Sequence, residues 1–97
     1  MKIRNIFFTL QAAQALNNLE DYEKSKALKA ISKFQDMCTS KIKGELLQIQ
    51  NSIYYKVRIL RPGIRIALTI AKEDLTIIAI KADREIYNDV ENKIGNI

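Results

Sequence analysis

The chain has 97 residues, which suit one compact domain, and we expect a single domain over residues 1–97. Hydrophobic residues make up 47% of it, which excludes a fully disordered chain, and no apolar run is long enough to cross a bilayer. The formal net charge is +5, from 16 Lys and Arg against 11 Asp and Glu, which favours an acidic partner such as nucleic acid or an acidic protein.

The N-terminal part of the chain predicts a strand and then two helices. Aromatic and β-branched residues over 2–8 favour a strand. Thr9 is the expected cap of a first helix over 10–19, where apolar residues recur at helical spacing. Asp21 is the expected cap of a second helix, and the short connection predicts that the two helices pack antiparallel. The second helix should bury Leu28, Ile31, Phe34 and Met37 or Cys38 and expose Lys24, Lys26, Lys29 and Lys33.

The C-terminal part predicts an antiparallel sheet. Residues 39–44 are polar and basic and predict a loop, whereas 45–50 fit either a short strand or an extended link. Over 53–59 and over 64–70 apolar residues alternate with other residues, which indicates two strands that each have one apolar face. The Arg61-Pro62-Gly63 sequence between them is a turn signal.

The alternation determines how these two strands pair. Their apolar residues must share a face, and a four-residue loop then pairs Ile59 with Ile64 and Arg58 with Arg65. Lys56 lies two residues along on the same face. Like charges across strands are unfavourable by up to about 1 kcal/mol, and no acidic residue is expected between these cations. Either the side chains point apart into water, or an anion binds between them.

A third strand and a tail helix complete the predicted elements. Residues 71–74 predict a hairpin loop. The strand over 75–80 is apolar on both faces, with Leu75, Ile77 and Ala79 on one and Ile78 and Ile80 on the other, which indicates that something covers the second face. Apolar residues every four positions predict a short helix over about 84–94 as that cover, with Asp83 as its cap and Gly95 after its end. The expected fold class is therefore α+β: an N-terminal strand, an αα-hairpin, an antiparallel three-strand meander and a short C-terminal helix.

Two residue types restrict the chemistry. The sequence contains no histidine, the commonest general base and metal ligand in proteins. Catalysis would therefore use Lys, Arg, Tyr or carboxylates. Cys38 is the only cysteine in the sequence, so no intrachain disulfide can form. This suits a reducing compartment such as the cytoplasm. The start of the chain does not have the pattern of a signal peptide. We expect no cofactor and no metal site, because the carboxylates are not clustered at ligand spacing.

The C-terminal half contains the sequences YKVR at 55–58, PGIR at 62–65 and REIY at 84–87, with a strand that ends at Lys81. These residues resemble the RelE/ParE superfamily of bacterial toxins, and the resemblance is only architectural before Tyr55. It implies a RelE-like fold with a microbial ribonuclease-like sheet, and the toxin of a type II toxin–antitoxin pair. Toxins of the RelE branch cut mRNA in the ribosomal A site with two basic residues, a further arginine, and then an arginine and a tyrosine. The matching positions in this chain are Lys56, Arg58, Arg65, Arg84 and Tyr87.

The resemblance and the chemistry of RNA cleavage together suggest a role for each residue. Attack by the 2′-hydroxyl of the RNA requires loss of its proton, stabilisation of a crowded phosphorane and relief of charge on the leaving 5′-oxygen. Lys56, with its cationic neighbours, is the candidate base, and Arg58 and Arg65 would hold the phosphate, although Arg58 stands where the best-known member has lysine. Arg84 would balance charge on the leaving oxygen, and Tyr87 would stack on a base or donate to phosphate. In a purely structural reading, Arg84 pairs with a neighbouring carboxylate and Tyr87 is a rim aromatic.

Two other functions stay open. The ParE branch shares the fold, inhibits DNA gyrase and usually lacks the full catalytic set. A plain basic module that binds RNA or protein is the third hypothesis. The expected partners are a cognate antitoxin and mRNA in the ribosomal A site, with no membrane or metal. An acidic or amphipathic antitoxin segment should cover the cationic face or displace the tail helix.

Overall fold

The computed structural model describes residues 2–35, 37–38, 42, 45–49 and 52–83. These residues form two helices and one five-stranded sheet. Neither helix is long and apolar enough to cross a membrane. In chain order the elements are β1 Asn5–Phe8, α1 Leu10–Asn18, α2 Asp21–Ser32, β2 Glu45–Ile49, β3 Ser52–Ile59, β4 Ile64–Ala71 and β5 Asp74–Ala82.

The sheet has the strand order β1-β5-β4-β3-β2, and the predicted α+β class is confirmed. Strands β2 to β5 form an antiparallel meander, and β1 pairs parallel with β5 at one edge. The meander therefore has four strands where the sequence predicted three. The additional strand is β2, which pairs with β3 from Glu45 opposite Lys56 to Ile49 opposite Ser52. Its sequence, ELLQI, does not alternate, so only the pairing with β3 distinguishes a strand from an extended link.

Thr9 joins the start of α1 to the middle of β5. Its side-chain oxygen accepts a hydrogen bond from the backbone N–H of Ala12 at 3.1 Å, which confirms the predicted cap. Its hydroxyl donates to the backbone oxygen of Ile78 at 3.1 Å, and its backbone N–H donates to the backbone oxygen of Ile77 at 3.0 Å. One residue therefore begins the helix and holds it against the sheet.

We expect Thr9→Ala to lower the free energy of unfolding by about 1–2 kcal/mol, because it removes both the cap and the hydrogen bond to Ile78. Urea denaturation followed by circular dichroism measures this change. Ser25→Ala is the matched control, since Ser25 is exposed within α2 and alanine favours a helix. An equal loss of stability in both variants would contradict the role of Thr9.

The cap of α2 differs from the prediction by one residue. Glu20 precedes the helix with an extended backbone, and Asp21 is already helical. The backbone N–H of Glu20 donates to the carboxylate of Glu23 at 3.0 Å as part of a capping box. Two glutamates three positions apart can form this reciprocal arrangement, so Asp21 is not needed as the cap.

The buried side of α2 is also rotated from the prediction. Ala27 is fully buried, whereas Leu28 is 44% exposed. Ile31 and Phe34 are buried, as predicted. Glu23, which is 2% exposed, lies four positions before Ala27, so the buried capping carboxylate and the small alanine share the inward side of the helix. Of the predicted surface lysines, Lys26, Lys29 and Lys33 are exposed and Lys24 is half-buried.

Strands β4 and β5 change register near their middle. Ala67 pairs with Ala79, but the next residue, Leu68, pairs with Ile77, so Ile78 is the extra residue of a β-bulge. An extra residue moves every side chain beyond it to the opposite face. The core side of β5 is therefore odd-numbered before the bulge and even-numbered after it.

The bulge accounts for the continuous apolar sequence of β5. Leu75, Ile77, Ile80 and Ala82 all belong to the core, because the bulge lies between the two pairs. The sequence analysis placed Ile80 on the opposite face under a tail helix, and this placement is wrong. In the structure α1 contacts both β5 and α2. The predicted tail helix lies outside the described residues.

Candidate functional site

The register of β3, β4 and β5 brings three cations into one line. Arg58 pairs with Arg65, as the sequence predicted, and Arg65 pairs in turn with Lys81. Paired residues in a sheet project to the same face, so these side chains form one row. We call Arg58, Arg65 and Lys81 the cation row. Lys56 projects to the same face, two residues from Arg58 along β3.

Lys81 is the member of the cation row that the sequence analysis missed as a site residue. Alternation counted from Leu75 and Ile77 assigns Lys81 to the apolar side of the strand. The bulge at Ile78 reverses this assignment and turns Lys81 towards Arg65. The unbroken apolar sequence over 77–80 is the one signal that could have indicated the bulge.

The cation row is more buried towards β5. The Arg58 side chain is 50% exposed, the Arg65 side chain is 23% exposed, and Lys81 is 8% exposed. An anion can therefore reach the row from the Arg58 end, with Arg65 in the middle. Lys81 lies behind the two arginines and is largely covered by the protein.

One carboxylate bonds two of the cations. Asp83 Oδ2 lies 3.2 Å from Nη2 of Arg58, and Asp83 Oδ1 lies 3.1 Å from Nε of Arg65. The last two atoms are inaccessible to solvent, and their contact is an ion pair without the geometry of a hydrogen bond. The sequence analysis expected no acidic residue among these cations, and this expectation is wrong. Asp83 pairs with both arginines, and Glu45 lies opposite Lys56 in the pairing of β2 with β3. Asp83 was interpreted as a helix cap, and Arg58 lies 25 positions away from it, beyond the reach of any local pattern.

These ion pairs orient the arginines more than they stabilise the fold. Partly exposed pairs contribute about 0–1 kcal/mol each. Asp83 forms ion pairs with Arg58 and Arg65 of the cation row. Each guanidinium has five N–H donors, so phosphate oxygens can bond Arg58 and Arg65 beside Asp83 or in its place. The arrangement is therefore suited to binding a phosphodiester.

Gly63 determines the position of Asp83. Its φ of +89° lies in the left-handed region that favours glycine. Its backbone oxygen accepts a hydrogen bond from the backbone N–H of Asp83 at 2.8 Å. A Cβ atom at this position would lie 2.8 Å from Asp83 Oδ2, which is too close. The turn before β4 thus needs glycine both for its backbone and for the carboxylate behind it.

We expect Gly63→Ala to lower the free energy of unfolding by about 1–3 kcal/mol, because of its strained φ and its clash with Asp83. Urea denaturation measures the loss. NMR signals of the Arg58 and Arg65 guanidinium groups should shift in the same variant, since Asp83 has to move. Leu60→Ala in the same turn is the control, because Leu60 is 78% exposed. Unchanged guanidinium signals would contradict the link between Gly63 and Asp83.

Three of the five predicted catalytic residues lie together on this face: Lys56, Arg58 and Arg65. Arg84 and Tyr87 lie outside the described residues. Within the part of the chain that the structure describes, no group of three or more His, Cys, Asp or Glu residues could hold a metal ion.

The comparison with known proteins finds similarity in structure and not in sequence. No protein-family model and no curated protein matches the chain. The isolated RelE toxin of E. coli is similar with a TM-score of 0.66 and 19% identity, over 94% of this chain and 98% of that chain. The intact RelBE toxin–antitoxin complex of E. coli has a TM-score of 0.65 and 15% identity, over 81% of this chain and 95% of that chain. The RelB–RelE antitoxin–toxin complex of Methanococcus jannaschii has a TM-score of 0.61 and 14% identity, over 84% of this chain and 95% of that chain.

Proposed function

We propose that this chain, which has the fold of the RelE toxins, is the toxin of a type II toxin–antitoxin pair and cuts mRNA in the ribosomal A site. The cation row, with Lys56 on the same face, is the observation that supports this proposal most strongly. Basic side chains from three adjacent strands are suited to grip one phosphodiester. In the proposed reaction the 2′-hydroxyl of the RNA attacks the neighbouring phosphorus.

Arg65 is the residue we propose to hold the scissile phosphate. It lies in the middle of the cation row, and its side chain is more buried than that of Arg58. The non-bridging oxygens carry more negative charge in the phosphorane than in the substrate. Donors that are already oriented therefore stabilise the transition state more than the bound RNA. Asp83 supplies this orientation through a hydrogen bond from Arg58 and an ion pair with Arg65.

Lys56 is the residue we propose as the general base. It is half-buried and lies beside Arg58 on the exposed face of β3. Its amine would accept the 2′-hydroxyl proton while the O2′–P bond forms and the P–O5′ bond breaks. The leaving 5′-oxygen would take up a proton from water, which gives a cyclic phosphate and a free 5′-hydroxyl. Arg84 would balance charge on the leaving oxygen and Tyr87 would stack on a base, as the sequence resemblance implies.

Slow cutting of free RNA is a further part of the proposal. The chain has no histidine to act as the base. The site therefore depends on a substrate that is held in line for attack. Positioning alone can supply about 7 kcal/mol or more. Messenger RNA held in the A site provides that geometry.

An antitoxin is the protein partner that we propose. Two of the similar structures are complexes of a toxin with an antitoxin, from E. coli and from Methanococcus jannaschii. The net charge of +5 favours an acidic partner segment. Such a partner would inhibit the toxin for as long as the two proteins stay bound.

The proposal is tested by mapping mRNA ends on translating ribosomes that contain the wild type, Lys56→Ala or Arg84→Ala. The wild type should produce cuts at fixed codon positions, and both variants should lose them. Lys2→Ala, at an exposed lysine outside the site, should cut like the wild type. Cuts that persist in both variants would overturn the assignment. Inhibition of gyrase in a supercoiling assay, with intact mRNA, would favour the ParE-like alternative.

A further inference from the structure

Strand β1 lies at one edge of the sheet and presents exposed apolar side chains there. Phe7 is 52% exposed, Phe8 is 37% exposed, and Leu10 at the start of α1 is 76% exposed. They are three of the six large hydrophobic residues that are exposed in the part of the chain that the structure describes. Exposed apolar residues that cluster in this way mark an interaction surface, whereas scattered ones do not.

The backbone of β1 has hydrogen-bonding groups on the side away from β5. The backbone N–H groups of Asn5 and Thr9 both donate towards β5, to the oxygens of residues 73 and 77. Residues two positions apart in a strand point the same way, so Ile6 and Phe8 direct their N–H and C=O groups to the opposite side. No described residue bonds these groups, and we call them the open edge of β1.

The open edge is short, and no charge protects it. Before it, the side-chain amide of Gln35 donates to the backbone oxygen of Arg4 at 2.7 Å, and after it α1 begins at Leu10. Charged residues or proline commonly protect an exposed edge strand, and residues 5–9 contain neither. The chain has a net charge of +5, so this uncharged segment is a place where two copies can meet without repulsion between facing side chains.

We propose that β1 pairs antiparallel with β1 of a second copy of the chain, about a two-fold axis at Phe7. Ile6 of each copy then lies opposite Phe8 of the other, and every group of the open edge takes part in a backbone hydrogen bond. An axis at Ile6 would instead require the backbone oxygen of Arg4, which Gln35 already bonds. An axis at Phe8 would require the first residue of α1. The open edge is therefore complementary to itself in one register.

The pairing also covers apolar surface on both faces of the joined sheet. The two Phe7 side chains would lie next to each other across the axis, because a pair without mutual hydrogen bonds has its Cα atoms about 4.5 Å apart. Ile6 and Phe8 would meet on the other face. The cation row lies away from this join, since β1 pairs with residues 74–77 of β5 and Lys81 lies near the other end of that strand. The inference therefore does not depend on the proposed nuclease activity.

Sedimentation equilibrium of the purified full chain tests the association. The measured mass should approach twice that of one chain as the concentration rises. Phe7→Lys should raise the dissociation constant about tenfold or more, because it removes an aromatic pair and places two like charges opposite each other. Tyr22→Lys is the matched control, since Tyr22 is an aromatic residue of similar exposure, 55%, on α2. It adds the same charge and should change the dissociation constant by less than about twofold.

Disulfide formation tests the position of the axis. Cys38 is the only cysteine, so the variants are made with Cys38→Ser. Phe7→Cys should form a disulfide between two copies on air oxidation, because residues that face each other across the axis have a Cα separation that a disulfide can span. Asn5→Cys is the control on the same strand. Its counterpart in the second copy would lie about 13 Å away, so no disulfide should form.

Amide hydrogen exchange tests the open edge itself. Exchange at Ile6 and Phe8 should slow as the concentration rises, whereas the N–H of Phe7, which faces β5, should be protected at every concentration. A mass of one chain at every concentration, equal disulfide yields at positions 5 and 7, or equal weakening by both lysine variants would overturn the inference. Slow exchange at Ile6 and Phe8 even in dilute solution would also overturn it, because one copy would then cover its own edge. The mRNA-cutting assay can succeed or fail independently of each of these results.

Discussion

Replacing Arg65 by glutamine should lower the rate of mRNA cutting on the ribosome by about 10²-fold or more. Glutamine keeps a hydrogen-bond donor but removes the positive charge from the middle of the cation row. The loss should appear in kcat more than in KM, because the charge on the phosphate oxygens rises towards the phosphorane. Single-turnover cleavage of mRNA on stalled ribosomes measures the rate directly.

Arg4→Gln is the control for this prediction. Arg4 also bonds a carboxylate, with its Nε 2.7 Å from Oε2 of Glu73, but it lies outside the cation row. Its loss should leave the rate within about twofold of the wild type, because an exposed ion pair contributes little. Both variants should stay folded, because a partly exposed ion pair contributes only about 0–1 kcal/mol to stability. Equal rates in the Arg65 and Arg4 variants would show that Arg65 does not act on the phosphate.

Leu68→Ala should lower the free energy of unfolding by about 3 kcal/mol, the largest stability effect that we expect. Leu68 is fully buried and follows the register change of β4, where it pairs with Ile77 in the centre of the core. Alanine would leave a cavity that the neighbouring strands cannot close without breaking their pairing. Denaturation in urea, with an unchanged m-value, would measure the loss.

Leu10→Ala provides the comparison of the same chemical change on the surface. Leu10 is 76% exposed at the start of α1, and alanine is the better helix former. The free energy of unfolding should change by less than about 0.5 kcal/mol. A similar loss at both positions would mean that the burial of Leu68 does not determine the effect.

The pairing of Arg58 with Arg65 could be predicted because two regular signals agree. Alternating apolar residues restrict the register, and the turn at Pro62 and Gly63 determines where the strands meet. Lys81 could not be placed in the same way, because the bulge at Ile78 reverses the alternation. The apolar run over 77–80 fits a bulge and a strand buried on both faces equally well. The burial of Ala27 in place of Leu28 depends on the rotation of α2 against the core, which periodicity determines only to within one position.

The role of Asp83 illustrates a second limit of sequence reasoning. A carboxylate at the end of a strand is a reasonable helix cap, and local patterns favour that interpretation. Its bonds to Arg58 and Arg65 depend on three strands meeting and on the close approach of Gly63. The cations themselves could be predicted, but the anion that holds two of them is a property of the assembled sheet.

The shared carboxylate has a consequence for how RNA would be held. A phosphate that enters between Arg58 and Arg65 meets two guanidinium groups whose positive charge Asp83 already balances in part. Fewer small ions from the buffer are set free than two bare guanidinium groups would release. The affinity of this face for a nucleic acid should therefore fall less steeply with added salt than its number of arginines suggests.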